Sequence, residues 1–331
     1  MAASETRRPE AVRWGVIGCG DVTEVKSGPA YQDTAGFELA AVMRRTAGKA
    51  KDYAQRHGVP KYGTNADALI QDGEIDAVYI ATPPDSHRHY ALKVAAAGKP
   101  CCIEKPMSPC YADSLAICEA FQAKGIPLFV AYYRRSLPRF EQVKTWLDEG
   151  RIGEVRSVTW QFHRPPSKTD LAKAKNWRTE ARVAPGGYFD DVASHGLDLI
   201  VYLLGNVREA AGFSANQQGL YTGKDAISGS WRHESGVIGS GNWNFAAGSS
   251  KEVVEILGSA GTIEFSVFRD APLELTNGDG HQELSIEHPK HIQIHHVRKM
   301  RDCLRGEAEH PSTGLTATHT SWLMDKILGH L

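Results

Sequence analysis

The 331-residue sequence predicts an α/β protein of two parts, a doubly wound parallel sheet followed by an α+β half built on a large, mostly antiparallel open sheet. Three observations predict it. Up to about residue 131, short apolar runs alternate with helical patterns, and near-continuous apolar strands belong to parallel sheets covered on both faces. A Gly-x-Gly turn directly follows the first of those runs. Beyond Gly205, six strand-like runs succeed one another with no helix between them, punctuated by Gly, Asn and Asp, as in antiparallel or mixed sheets.

In chain order, residues 13–17 form a strand, 22–32 a helix, 38–43 a strand, and 50–57 a helix that Gly58 stops. Residues 65–72 are a short helix with Asn65 as its cap, and 77–81 are a continuous apolar strand. Residues 86–97 form a helix with Ser86 at its N-cap and Gly98 past its end. A strand at 101–103, a helix at 111–124 ended by Gly125 and a strand at 128–132 complete the first half. In the second, 138–149 and 190–204 are helices, and 155–163 alternates like a half-exposed strand. The six runs are 226–232, 237–244, 253–257, 262–265, 273–276 and 283–286, with Thr276-Asn277-Gly278-Asp279-Gly280 as a hairpin turn. Helices at 292–305 and 315–328 close the chain. Residues 1–11 read as a disordered tail.

Composition narrows the function classes. Hydrophobic residues make up 41% and charged residues 23%, as in ordinary globular proteins, and the net charge of −1 provides no global field for nucleic acid or anionic membrane. No apolar run approaches the roughly 18 residues of a membrane span. Arg7-Arg8 lacks the apolar stretch of a twin-arginine export signal. The 6 Cys have no metal-ligand spacing and read as buried reduced thiols, so a cytoplasmic protein is expected. Four histidines at 288, 291, 295 and 296 lack a completing ligand set, and no metal is expected.

Gly18-Cys19-Gly20-Asp21-Val22-Thr23 lies between the first strand and the first helix, the context of a dinucleotide loop. Gly18 permits the tight turn and Gly20 lets backbone approach a pyrophosphate. Thr23 occupies the third glycine position. The second strand runs into Arg44-Arg45-Thr46 with no acid to take a ribose 2′-hydroxyl, and two guanidiniums suit a 2′-phosphate. The expected cofactor is NADP(H), with NAD as second choice and a solvated basic loop as the plain alternative. Residues 12–131 then form a Rossmann NAD(P)-binding domain and 132–331 the substrate-binding and oligomerisation half.

Two further groups carry chemistry. Glu104-Lys105-Pro106 ends an apolar strand with charges, either as a surface ion pair or as a ligand-facing strand end. Asp191 and His195 are i and i+4 on a helix that follows Gly186-Gly187, so they share a face. An acid beside an imidazole raises its basicity and orients it, as a general base requires. An i,i+4 surface pair is the alternative, and Asp190 and Asp198 read as structural.

The glycine loop, Glu104-Lys105-Pro106 and the Gly-Gly…Asp-x-x-x-His block, in this order, resemble the Gfo/Idh/MocA oxidoreductases over residues 12 to about 329. The resemblance implies that Lys105 is the catalytic lysine, His195 the proton acceptor and Asp191 the acid one turn before it. It implies a bond before Pro106 that is often cis. Cofactor contacts are implied at Ala81-Thr82-Pro83-Pro84 with His87, at Trp177-Arg178, at Glu104 and in the stretch holding Arg135. Tyr132-Tyr133 departs from the Asn or His of many relatives. The expected reaction interconverts a secondary alcohol and a carbonyl on a sugar, cyclitol or dihydrodiol. The expected assembly is a homodimer or homotetramer through the open sheet. A nicotinamide-dependent glycosidase and a non-catalytic dinucleotide sensor are the competing classes.

Overall fold

The computed structural model describes residues 11–331, so the tail expected at 1–11 lies outside the described residues except for Ala11. Six strands, β1 (Val12–Ile17), β2 (Phe37–Met43), β3 (Lys61–Gly63), β4 (Ala77–Ile80), β5 (Cys101–Ile103) and β6 (Leu128–Val130), form one parallel sheet in the order β3-β2-β1-β4-β5-β6. β4, β5 and β6 are buried at every position, because helices cover both faces and only apolar side chains fit there. The order reverses between β1 and β4, which opens a crevice at the carboxyl ends of those strands. Backbone bonds from Ala81 to Ile17 and from Glu104 to Ile80, both 2.8 Å, line up the ends of β1, β4 and β5 side by side.

The second sheet holds β7 (Val155–His163), β8 (Val207–Ala215), β9 (Ala226–His233), β10 (Ile238–Asn244), β11 (Lys251–Gly258), β12 (Gly261–Phe265), β13 (Leu273–Asn277) and β14 (Gly280–Leu284). Its order is β14-β13-β12-β11-β7-β10-β9-β8, antiparallel throughout except for β7 against β10. The 17-residue helix Tyr188–Leu204 lies across it. Gly196 makes that contact possible, since a Cβ there would stand 2.2 Å from the Trp160 ring. Phe189 meets Trp243 edge-on at 5.0 Å.

Three expectations are corrected. The helix expected at 22–32 is two short ones, Asp21–Val25 and Gly28–Gln32. Pro29 has no N–H to continue the first ladder, and Gly28 packs against the Thr23 carbonyl where a Cβ would come within 2.2 Å. Strand β8 lies within a stretch read as a connection. It is an edge strand with only Val207 buried, so its side chains carry no apolar alternation to detect. The short edge strand β3 was likewise not expected. Ile294, Val297 and Met300 of helix Ile294–Leu304 pack into one core with Trp14, Tyr31 and Tyr79 of the first sheet and its helices.

Candidate active site

The dinucleotide loop is built from three strand ends. Gly18 adopts φ +96, and a Cβ on it would stand 2.7 Å from the Thr82 methyl and 3.0 Å from Ala81 backbone, so the turns after β1 and β4 touch. Gly20 is different: the nearest atom to a Cβ there is 3.8 Å away, and the space beside it is open to a ligand. Thr23, in the third glycine position, is buried and donates from its hydroxyl to the Gly20 carbonyl at 2.8 Å, holding the loop from inside. Arg44 donates to the Cys19 carbonyl at 3.0 Å, while Arg45 is exposed. Asp21 and Val22 open the first helix and Ala81, Thr82 and Pro83 follow β4, so both segments border the same turn.

Lys105 leaves the end of β5, and its Nζ reaches Asp191 across the crevice, 2.5 Å from Oδ1 and 3.0 Å from the backbone carbonyl. The other oxygen of Asp191 accepts from Arg178 Nε at 2.7 Å, and Arg178 in turn lies over the Trp177 ring at 4.4 Å. Burial pushes the Asp191 carboxyl up, but the charges and hydrogen bonds of Lys105 and Arg178 outweigh it and hold the group below the ordinary carboxylate range. The peptide bond between Lys105 and Pro106 is cis.

The Asp191–His195 relation is a correction. The two share a helix face, yet both Asp191 oxygens are taken by cations, and His195 Nδ1 is buried with no hydrogen-bond partner. His195 is enclosed by rings instead: Tyr133 at 5.2 Å, Phe268 at 6.0 Å and Tyr132 at 6.2 Å, all edge-on. Burial, followed by the charges of Arg134, Lys105 and Lys26, pushes its pKa well below that of a free imidazole. The ring is therefore neutral near pH 7, able to accept a proton.

Three residues expected to touch cofactor are turned into the protein. The Glu104 carboxylate accepts from Tyr79 Oη at 2.6 Å, Gln293 Nε2 at 3.0 Å and the Lys105 N–H at 3.2 Å, which fixes the backbone that presents Lys105. His87 is fully buried, with Nε2 2.7 Å from the Thr82 carbonyl and Nδ1 3.1 Å from that of Pro106, clamping one cleft loop to the other. Arg135 makes a two-point pair with Asp198 at 2.7 and 2.8 Å and donates to the Pro311 carbonyl, away from the crevice. Arg134 was not singled out from sequence, and its place just past a strand end was the only hint of it. Tyr133 was noted for departing from the Asn or His of many relatives.

The paired glycines before the helix also have structural duties. Gly187, at φ +65, leaves room for the Lys224 carbonyl, which would lie 2.2 Å from a Cβ, and the Gly186 N–H is capped by Asp190 at 2.9 Å. Among the described residues no group of three or more His, Cys, Asp or Glu could hold a metal, no helix is long and apolar enough to cross a membrane, and all six cysteines are free thiols.

The model of the oxidoreductase family with an NAD-binding Rossmann fold matches residues 12–132, and that of the GFO/IDH/MocA C-terminal domain matches 140–264. Oxidoreductase P35 of Formosa agariphila is 37% identical over 96% of this chain and 98% of its own. The 1,5-anhydro-D-fructose reductase of Ensifer adhaerens is 26% identical over 91% of both. Levoglucosan dehydrogenase in complex with NADH and levoglucosan superposes with a TM-score of 0.85 at 23% identity, covering 96% of each chain, a likeness of fold.

Proposed function

The chain belongs to the Gfo/Idh/MocA family of NAD-binding oxidoreductases, and from that premise we propose that it interconverts a secondary alcohol and a carbonyl on a sugar or related polyol, with NADP(H) preferred over NAD(H). The observation that carries this reading is the meeting of Lys105 and Asp191 at the crevice edge, 86 residues apart in sequence, with His195 one turn further along the same helix. A strand-end ammonium, a carboxylate and a neutral imidazole on the carboxyl side of a dinucleotide loop are the groups that alcohol oxidation needs.

The roles follow from chemistry. A bound nicotinamide supplies the site that accepts or donates the hydride. Lys105 donates a hydrogen bond to the reacting oxygen and stabilises the negative charge that develops there. Asp191, fixed by Arg178, holds the Lys105 ammonium in one direction. His195, kept neutral by burial and neighbouring cations, takes the hydroxyl proton, and returns it when a carbonyl is reduced. Gly18, Gly20 and the turn at 81–83 hold the dinucleotide. Arg44, moored on the Cys19 carbonyl, and Arg45 receive a 2′-phosphate. Relatives named for sugar substrates support the polyol class.

The test is a panel of sugars, inositols and dihydrodiols with NADP⁺ and NAD⁺, followed by nicotinamide absorbance, for the protein and for Lys105→Ala. Turnover with NADP⁺ preferred is expected, and Lys105→Ala should lower it at least about 10³-fold while NADPH still binds. Undiminished turnover in the variant would sink the assignment of Lys105. A clear NAD⁺ preference would refute the reading of Arg44 and Arg45.

A further inference from the structure

One cation beside the reacting groups forms no ion pair among the described residues. Arg134, in the short 3-10 turn Tyr133–Ser136 that follows β6, is 7% exposed. Its guanidinium lies over the Phe268 ring at 4.3 Å and the Tyr133 ring at 5.0 Å, the same two rings that enclose His195. Its Nε donates to the Val267 carbonyl at 3.0 Å, and its Nη1 is buried with no partner. Cations buried this far are ordinarily paired, and an unfilled guanidinium donor in the interior is costly.

The surrounding charges sharpen the point. Arg135, the next residue, has Asp198 to itself, and Arg139 reaches Asp270 at 3.4 Å. Asp191 is divided between Lys105 and Arg178. The charges that bear on His195 are those of Arg134, Lys105 and Lys26, all positive. With two rings over the guanidinium and Nε on a carbonyl, Nη1 is the donor left without a partner among the described residues. An edge-on approach to two parallel N–H groups is the geometry of a planar carboxylate.

We propose that the substrate is an acidic sugar or polyol and that Arg134 receives its carboxylate, orienting the molecule so that a hydroxyl or carbonyl elsewhere on it meets Lys105 and His195. This rests on the oxidoreductase reading above and deepens it by naming the substrate class. Tyr133 and Phe268 would then act as walls, excluding water from the ion pair and strengthening it. A neutral sugar would leave Arg134 unpaired in the interior, so the site discriminates against it by the same desolvation that makes the pair strong.

The experiment titrates the protein, saturated with whichever reduced dinucleotide it binds more tightly, with D-glucuronate and D-galacturonate, D-glucose and D-galactose, and their 6-phosphates, read by nicotinamide fluorescence. The uronates should bind about tenfold or more tighter than the matching neutral sugars. Arg134→Gln should bring the two within about twofold, and Arg134→Lys, which keeps the charge without the fork, should retain part of the preference. The acid-to-neutral ratio is the readout because a merely structural loss would weaken both sugars alike. No preference in the parent protein, no binding of the uronates at millimolar concentration, a preference that survives Arg134→Gln, or tighter binding of the 6-phosphates would each overturn the proposal. Failure of the parent protein to bind any dinucleotide would instead strike the oxidoreductase reading.

Discussion

Asp191 and Asp198 stand two turns apart on the helix Tyr188–Leu204, and each is held by a guanidinium from elsewhere in the chain. Their surroundings differ. Asp198 is fully buried, accepts two bonds from an Arg135 side chain only 4% exposed, and a third from Thr320. Asp191 is 21% exposed, faces the crevice and shares its charge between Arg178 and Lys105. Asp190, beside it, is buried with no cation at all, and burial pushes its carboxyl up to about 8. One helix therefore carries an ion pair that locks the fold, an ion pair placed for chemistry and a carboxyl that holds the Gly186 N–H ahead of the helix. What separates them is access to solvent and to a partner, since the residue type is the same.

The sharpest way to break the comparison is to strip the buried pair of its cation. Arg135→Met leaves Asp198 buried and uncompensated, and should cost about 3–5 kcal/mol in denaturant unfolding. A cost below about 1 kcal/mol would mean that the two pairs are alike in kind. Asp191→Asn should behave in the opposite way. Its partly exposed pair contributes little to stability, so unfolding should move by no more than about 1 kcal/mol. With Lys105 no longer held in one direction, kcat should fall about 10²-fold. Large destabilisation with intact kcat would reverse the roles assigned to the two aspartates.

The effect expected at Asp190 depends on pH. Its folded carboxyl keeps a proton that the unfolded chain gives up near pH 4, so the native state binds more protons across that interval. The sign follows: its contribution to stability is greatest below pH 4 and is lost as pH rises towards 8. Asp190→Asn removes this dependence while keeping an oxygen for the Gly186 N–H. Melting curves should show the variant gaining about 3 °C or more on the parent at pH 8, and progressively less towards pH 4. A gain independent of pH would show that the carboxyl is ionised in the folded protein.

Much of this arrangement was legible in the residues. Apolar runs at 77–80 and 101–103 can only be covered strands, so the end of each had to open on the crevice, and Gly18, Thr82 and Lys105 do lie there. Where apolar contrast was weak, as along β8, legibility failed. It failed also where a polar residue had two possible directions. Glu104 and His87, expected beside the cofactor, have buried partners that residue type alone could not foretell, Tyr79 and Gln293 for one and the Thr82 and Pro106 carbonyls for the other.

The Asp191–His195 pair shows where the boundary falls. Their spacing of four determined that both lie on one helix face, because a helical turn repeats every 3.6 residues. It did not determine which groups they bind. Lys105 and Arg178 arrive from the first sheet and from the 3-10 turn Trp177–Thr179, and a carboxylate gains more from two cations than from a neutral imidazole. The sequence by itself determined the strands, the turns that end them and the residue types placed there. Only the tertiary structure decided that Asp191 belongs to Lys105 and Arg178, that His195 stands among aromatic rings, and that Arg134 is left with a charge for something else to meet.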